Sequence, residues 1–285
     1  MNEMKGNSMA VFNSNDIYPV SADSELPFEQ HRDIFHLTGI DQEETILLLY
    51  PPSKDDKTRE ILFIRKSDNH TKVWEGEKLS RKQANELSGI NSIYYIDDFK
   101  DILSSIATKV DTFYINKNEH YRANSPVETR EDRFISWLLK NYPAHNVAKS
   151  NPILQRQRSI KHPDEIDQIK KACDITRRGF NRVLKFIKPS VWEYEIEAEF
   201  IHEFINNSSK GFAYSPIIAS GNDNNVLHYI KNNKQCKSGE LILMDVGAEY
   251  GNYSSDMTRT IPVSGKFSKR QKEIYNAVLR VKNEA

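Results

Sequence analysis

The sequence predicts an α/β protein built from two successive α/β domains, and three observations support this. The first half alternates short apolar runs with polar connectors, as strands separated by loops and helices do. The second half opens with two segments of helical periodicity and continues as strands. Between the halves, residues 143–160 are polar and basic and lose periodicity, so we predict domains 1–155 and 156–285.

Six short apolar or aromatic runs in the first half are predicted strands, because each is bounded by turn-forming residues. They are "MAVFN", "IFHLTGI", "TILLLY", "EILFIR", "SIYYI" and "TFYIN". The segment "SRKQANELSG" predicts a short helix that ends at Gly89, since glycine is common just past a helix C-terminus. The first domain is therefore predicted to combine a sheet with helices.

Two long helices open the second half. The segment "KHPDEIDQIKKACDITRRGFNRVLKFI" places Pro163, Asp164 and Glu165 in the first turn, as helix N-termini favour. The segment "VWEYEIEAEFIHEFINN" predicts the next helix, and Ser268 is a predicted N-cap for a third near the end of the chain. The predicted strands between them are "AYSPIIAS", "VLHYI", "ELILMDVGAEY" and "NYSSDMTRTIPV".

Charge and cysteine content restrict the function. Forty basic residues balance forty acidic residues, which gives no long-range attraction to nucleic acid or an anionic membrane surface. No apolar run approaches the roughly 18 residues of a membrane span, and the N-terminus lacks the apolar centre of a signal peptide. Only Cys173 and Cys236 are present, without a CxxC pair, which fits a reducing compartment. We expect a soluble, cytoplasmic protein with neither a nucleic-acid nor a membrane partner.

Two aspartates in residues 243–260, "LMDVGAEYGNYSSDMTRT", stand inside segments that otherwise resemble strands, although strands usually exclude aspartate. If Tyr250 and Gly251 form a two-residue hairpin turn, Asp245 faces Asp256 on one side of the sheet. Two carboxylates so placed repel, and a cation between them removes the conflict, because carboxylates bind Mg, Ca, Mn and Zn. Alternatively, the register differs by one or two residues and both carboxylates are solvated. Spacing alone leaves both possibilities open.

His228 differs from the other histidines because it lies in an apolar segment predicted as a strand, shortly before Asp245. It is therefore a candidate functional residue. A structural histidine satisfied within the sheet is an equally good interpretation.

The segments "AYSPIIASGNDNNVLHY" and "LILMDVGAEYGNYSSDMTRTIPVSGKFSKRQKEIYNAVL" together resemble the pita-bread metallopeptidases, most closely the Xaa-Pro aminopeptidases (aminopeptidase P). The first half resembles that family's N-terminal domain through "LPFEQHRDIFHLTGI" and "VWEGEKL", although Glu29 stands where many members have arginine. The resemblance implies an N-terminal creatinase/aminopeptidase P-type α/β domain. The first half of a pita-bread (creatinase/methionine aminopeptidase-like) α/β domain would follow it.

The resemblance also implies an activity and roles for individual residues. Asp245 would bind one divalent ion and Asp256 would bridge two, usually Mn²⁺, whose bound hydroxide attacks the peptide. His228 would be a catalytic residue that contacts the substrate. The substrates would be peptides with proline in second position, from which the first residue is released. Members form homo-oligomers, so Trp74 would contact a neighbouring subunit's site or, equally well, pack locally.

The expected ligand set is incomplete in this sequence. The family's dinuclear site needs a histidine and two glutamates after the aspartates, yet no histidine follows His228. We assign neither Glu273 nor Glu284 as a ligand, because both fall on or beside the last predicted helix. We therefore expect a chain that is part of a longer enzyme and inactive alone. The alternatives are a prolidase or creatinase-like hydrolase, and a non-catalytic peptide-binding module on the same scaffold.

Overall fold

The computed structural model describes residues 1–117 and 126–285. These residues form two compact units, Met1–Ile160 and Lys161–Ala285. The predicted boundary after residue 155 falls inside a helix, Asn151–Ser159, and the observed division comes after that helix. A helix keeps its residues in one unit because its backbone hydrogen bonds cross any point within it.

The first unit contains eight strands and seven α-helices among its described residues. The strands are β1 (Ser8–Asn13), β2 (Pro19–Ser21), β3 (Ser24–Glu25), β4 (Ile46–Leu49), β5 (Glu60–Ile64), β6 (Ser92–Tyr95), β7 (Thr112–Ile115) and β8 (Asn146–Lys149). The helices are α1 (Arg32–Thr38), α2 (Asp56–Arg59), α3 (Asn69–Trp74), α4 (Arg81–Ser88), α5 (Phe99–Ala107), α6 (Arg130–Asn141) and α7 (Asn151–Ser159).

Six of these strands form one mixed sheet in the order β6-β5-β4-β1-β7-β8. Strand β1 is antiparallel to β4 and parallel to β7. Met9 and Val11 pack into one apolar cluster, and Ala10 and Phe12 pack into another. Because side chains alternate between the two faces of a strand, the sheet buries both of its faces.

One predicted strand of the first unit is wrong. The segment "IFHLTGI" lies largely in helix α1, which begins after His31 and ends at Gly39. The His31 side chain accepts a hydrogen bond from the backbone of Asp33, and Gly39 has a left-handed φ of 69°. Ile34 and Thr38, four residues apart, are the buried pair. A short apolar run fits either a strand or a helix, and here the two caps determine the helix.

The second unit contains three α-helices and six strands. The helices are α8 (Pro163–Phe186), α9 (Glu193–Asn206) and α10 (Lys269–Glu284). The strands are β9 (Gly211–Phe212), β10 (Ile217–Ser220), β11 (Leu241–Val246), β12 (Ala248–Tyr250), β13 (Tyr253–Ser254) and β14 (Met257–Pro262). As predicted, Ser268 caps α10, where its side chain accepts a hydrogen bond from Gln271.

Two antiparallel sheets contain the strands that hold Asp245 and flank Asp256. Their strand orders are β10-β11-β14 and β13-β12-β9. Helices α8 and α9 pack against each other and against this layer. Their shared core includes Phe180, Phe200 and Phe204 from the helices, and Ile242 and Met244 from β11. The two helices therefore support the strands on one side.

The predicted strand "VLHYI" is also wrong. Residues 226–230 form a turn after a short 3₁₀ helix, Gly221–Asn225. Val226, Leu227, His228 and Ile230 are exposed, and only Tyr229 is buried. The apolar character of the segment predicted a strand, but in residues 1–117 and 126–285 no strand pairs with it.

None of the helices in residues 1–117 and 126–285 combines the length and the apolarity that crossing a membrane requires.

Candidate functional site

The hairpin that carries the two aspartates turns one residue later than predicted. Tyr250 pairs with Tyr253, so Gly251 and Asn252 are the central residues, with φ values of 57° and 64°. Two left-handed residues form a type I′ turn, which glycine and asparagine favour. The predicted turn at Tyr250 and Gly251 is therefore wrong, and so is the register that it implied.

The change of register moves the partner of each aspartate. Asp245 in β11 faces Thr258 in β14, and the next pair is Val246 with Met257. Asp256 lies in the two-residue link between β13 and β14, so the same register places it opposite Gly247. The predicted direct pairing of Asp245 with Asp256 does not occur.

The two aspartates nevertheless share one face of the hairpin. Because the turn lies one residue later than predicted, the partner of each residue changes by two positions. A change of one position would move every side chain to the opposite face of the sheet, whereas a change of two leaves each side chain on its predicted face. Gly247 leaves the position opposite Asp256 without a side chain, and an added Cβ would lie only 1.9 Å from the Ser255 carbonyl oxygen. Asp245 and Asp256 are therefore diagonal neighbours, and Gly247 permits the close approach of the Ser255 backbone next to Asp256.

The predicted convergence of the two carboxylates is confirmed by Tyr214. Its hydroxyl oxygen lies 2.6 Å from an Asp245 carboxylate oxygen and 3.1 Å from one of Asp256. Asp245 is half-buried and Asp256 is exposed. A hydroxyl has one proton, so at any moment it can satisfy only one of two carboxylates. The site therefore concentrates negative charge that one hydrogen bond cannot balance.

Tyr214 remains a proton donor at neutral pH. Burial is the main factor that raises its pKa above the ordinary value of a tyrosine, and the hydrogen bond to Asp245 is the second. Negative charges near a phenol disfavour its ionised form. The Tyr214 hydroxyl is thus held between the carboxylates as a neutral group. Sequence analysis did not identify it.

A buried hydroxyl pair fixes the link that contains Asp256. The Thr176 and Ser255 side-chain oxygens are 2.6 Å apart, and each lies 2.9 Å from the backbone nitrogen of Ala248. Thr176 belongs to α8 and is fully buried. The helix therefore anchors the hairpin next to Asp256 and limits the movement of its carboxylate.

The donor set fits part of a site for divalent cations. Asp245, Asp256 and Tyr214 offer only oxygen atoms, which suit Mg, Mn and Ca. Within the part of the chain that the structure describes, no group of three or more His, Cys, Asp or Glu side chains is arranged to hold a metal ion. These residues can thus contribute two carboxylate ligands to a metal ion.

His228 lies apart from the aspartates in the hydrogen-bond network. It is exposed and stands in the turn that follows Gly221–Asn225. No hydrogen bond joins it to Asp245 or Asp256 in residues 1–117 and 126–285. The turn is tied to β11 through Asn224, which bonds the backbone of Leu241 at 3.0 Å and of Leu243 at 2.9 Å.

Glu193 anchors the segment that carries His228, and sequence analysis missed it. It stands at the start of α9, and its side chain is fully buried. One oxygen accepts hydrogen bonds from the backbone and hydroxyl of Ser220, at 2.8 and 2.7 Å. The other accepts from the Tyr229 hydroxyl at 2.8 Å and the Lys234 backbone at 2.9 Å. One carboxylate therefore binds Ser220 and Lys234, on either side of the segment that contains His228. It also binds Tyr229, the residue next to His228.

Trp74, a candidate contact to a second subunit, is 76% exposed at the end of α3. Its ring stacks on that of His70, with the centroids 5.9 Å apart. The local contact covers only part of the indole, which leaves the rest of this side chain accessible.

Two family models match the chain, one within each of the two units. The aminopeptidase P N-terminal domain matches residues 1–114, and the metallopeptidase family M24 matches residues 167–285. Both aspartates lie in the M24 match. The chain is therefore similar to M24 metallopeptidases that carry an aminopeptidase P N-terminal domain. Its fold is the expected one, an N-terminal aminopeptidase P-type domain followed by part of a pita-bread domain.

Individual members of the aminopeptidase P family show the same relationship. The chain is 32% identical to Xaa-Pro aminopeptidase of Escherichia coli, over 91% of this chain and 59% of that protein. It is 30% identical to human Xaa-Pro aminopeptidase 3, over 95% of this chain and 53% of the relative. A zinc-substituted E. coli aminopeptidase P in complex with product superimposes with a TM-score of 0.86 at 29% identity, covering 98% of this chain and 63% of the other.

The chain thus spans between half and two thirds of the length of these relatives.

Proposed function

We propose that the complete gene product is a metal-dependent Xaa-Pro aminopeptidase that releases an N-terminal residue preceding proline. One observation carries this proposal: Asp245 and Asp256 converge on the Tyr214 hydroxyl, at 2.6 and 3.1 Å, inside the region that matches M24 metallopeptidases. Close carboxylates are unfavourable without a cation, so their convergence suggests a metal site. The named relatives support the choice of substrate.

In this proposal, the chain's own residues have distinct roles. Asp245 and Asp256 would hold the divalent ions, expected to be Mn²⁺. Tyr214 would orient the two carboxylates, because residues that hydrogen-bond to ligands fix their geometry. The ions, when bound, would polarise the scissile carbonyl and acidify a water molecule.

His228 would contact the substrate from an exposed turn. Glu193 and Tyr229 would keep that turn in place, since Tyr229 is the next residue and its hydroxyl is fixed at 2.8 Å from the Glu193 carboxylate. The partners of the protein would be peptides with proline in second position, without nucleic acid or membrane. We further propose a cytoplasmic homo-oligomer, for which the exposed indole of Trp74 provides one contact surface.

Peptide hydrolysis by the complete gene product tests this function. With added Mn²⁺, we expect cleavage of Xaa-Pro-Xaa tripeptides and little cleavage of Xaa-Pro dipeptides, which a prolidase would prefer. The Asp256→Asn variant should show no measurable turnover, because an amide offers one neutral oxygen in place of two charged ones. Asp167→Asn, an exposed position on α8, is the matched control and should retain full activity.

Three results would oppose the proposal. Preference for Xaa-Pro dipeptides would assign the protein to the prolidases. Normal turnover by Asp256→Asn would remove the aspartate pair from the active site. Absence of any cleavage, together with tight peptide binding, would favour a binding module on this scaffold.

A further inference from the structure

A cavity lined mostly by polar and charged residues lies in the Met1–Ile160 unit, whereas the two aspartates belong to the other unit. Its volume is about 850 Å³, and its walls include Asn13, Asn116 and the first turn of α6. Asn13 ends β1, and Asn116 directly follows β7, its parallel neighbour. Open α/β sheets commonly bind ligands at the carboxyl ends of such strands, in cavities of about 300–1,000 Å³.

One wall of this cavity presents a cation without a carboxylate partner. Arg130 is half-buried, and its guanidinium donates one hydrogen bond, to the Ser14 hydroxyl at 2.9 Å. None of the ion pairs among residues 1–117 and 126–285 includes Arg130. Burial is the main cause that lowers its pKa. Most N–H groups of this guanidinium thus remain available to an acceptor.

The next residue presents an anion without a cationic partner. Glu131 accepts hydrogen bonds from the Asn13 amide at 2.8 Å and the Asn116 backbone at 3.1 Å. Both donors are neutral, and Glu131 belongs to no ion pair of the described residues. Burial is the main cause that raises its pKa, which means that its negative charge is poorly compensated. No Arg130 nitrogen lies within 4.0 Å of a Glu131 oxygen, the limit for an ion pair.

The other charged groups around the cavity are already paired. Asp33 accepts a hydrogen bond from Arg158 at 2.6 Å, and Asp16 forms an ion pair with Arg133. Burial lowers the pKa of His31, so at neutral pH this side chain does not supply a positive charge for Glu131. Arg130 and Glu131 therefore carry the two opposite charges on this wall that form no ion pair among the described residues and could pair with a ligand.

We propose that this cavity binds a small zwitterion, an amino acid or short peptide. The ligand's carboxylate contacts Arg130, and its ammonium group contacts Glu131. Guanidinium groups bind carboxylates through paired, charge-assisted hydrogen bonds, and a buried carboxylate gains most from a cationic donor. A zwitterion satisfies both protein charges and adds no net charge to the cavity. The site is separate from the proposed peptidase site and does not depend on it.

Isothermal titration of the complete gene product with glycylglycine tests the site, because this dipeptide lacks proline. We expect saturable binding at one site per chain. N-acetylglycylglycine lacks the ammonium group, and glycylglycinamide lacks the carboxylate. Each should bind about 10- to 100-fold more weakly, the range for losing a charged hydrogen bond. The variant Asp256→Asn should bind glycylglycine as the wild type does.

Substitutions identify which charge contacts which group. Arg130→Gln should weaken glycylglycine binding about 10- to 100-fold but weaken glycylglycinamide no further, since that ligand has no carboxylate to lose. Glu131→Gln should weaken glycylglycine binding to a similar extent but weaken N-acetylglycylglycine no further, since that ligand has no ammonium group to lose. Lys140→Gln and Glu128→Gln change exposed charges near the two ends of α6 and should leave binding unchanged.

The proposal fails if wild-type protein shows no saturable binding of glycylglycine, or if Arg130→Gln and Glu131→Gln bind it as wild type does. It also fails if Asp256→Asn abolishes binding, which would locate the ligand at the aspartates. Circular dichroism establishes that each variant is folded. Should Glu131→Gln not fold, the three ligands and Arg130→Gln still decide the outcome.

Discussion

The Tyr214 hydroxyl lies 2.6 Å from the Asp245 carboxylate, and the same hydroxyl reaches Asp256 at 3.1 Å. This contact connects the strand that carries one aspartate with the link that carries the other. It also explains how two like charges share one face of a hairpin. A neutral donor between them reduces their repulsion without removing the negative charge that a metal ion would need.

Removing the Tyr214 hydroxyl should weaken metal binding. In the complete gene product, we expect Tyr214→Phe to lower Mn²⁺ affinity about 10- to 100-fold, because it frees both carboxylates to move apart. Titration calorimetry with Mn²⁺ measures the change. Tyr194→Phe, at a half-exposed position on α9, is the control. Unchanged affinity in Tyr214→Phe would mean that this hydroxyl does not orient metal ligands.

Glu193 should be essential for stability. Glu193→Ala leaves the backbone N–H groups of Ser220 and Lys234 and the Ser220 hydroxyl without their acceptor. Each buried unsatisfied group costs about 1–3 kcal/mol, so the free energy of unfolding should fall by at least about 3 kcal/mol. Urea unfolding measures it, with the exposed Glu273→Ala as control. A loss below about 1 kcal/mol would show that solvent replaces these bonds.

His228 should affect the rate of hydrolysis and not the metal content. In the complete gene product, His228→Ala should lower kcat/KM about 10²- to 10⁴-fold, the range for a lost proton-transfer or transition-state contact. Metal analysis of the purified variant should give the wild-type stoichiometry. Loss of metal from this variant would make His228 a ligand and contradict its assigned role.

The two cysteines should differ in reactivity. Cys173 is exposed, whereas Cys236 is buried, and burial raises the pKa of its thiol to about 11. At pH 8, only about one Cys236 thiol in 1,000 would be ionised, and the thiolate is the reactive form. Iodoacetamide should therefore label Cys173 in the native protein and label both cysteines in urea. Native labelling of Cys236, read by mass spectrometry, would contradict its position in the core.

The sequence predicts elements well where burial sets a clear pattern. Strand β1 is buried along its whole length, and its apolar run was recognised. Strand β8 was missed because three of its four residues are exposed, so no apolar pattern marks an edge strand of this kind. The segment around Ile34 was predicted as a strand because the capping contacts of His31 and Gly39, which determine the helix, depend on side-chain geometry.

The candidate site was predictable only in part. The spacing of Asp245 and Asp256 indicated that their carboxylates share a face, and a register shift of two residues preserved this result. Tyr214 lies far from them along the chain, so only the fold reveals its contact. Glu193 resembled an ordinary polar residue of a helix, because its four hydrogen-bond donors come from residues 220–234.

The proposed activity requires that Asp245 and Asp256 are metal ligands. Anomalous diffraction from crystals of the complete gene product grown with Mn²⁺, recorded at the manganese absorption edge, tests it most directly. We expect a manganese peak within about 2.5 Å of carboxylate oxygens from both aspartates, a distance typical of oxygen ligands. Manganese peaks that contact neither Asp245 nor Asp256 would contradict it.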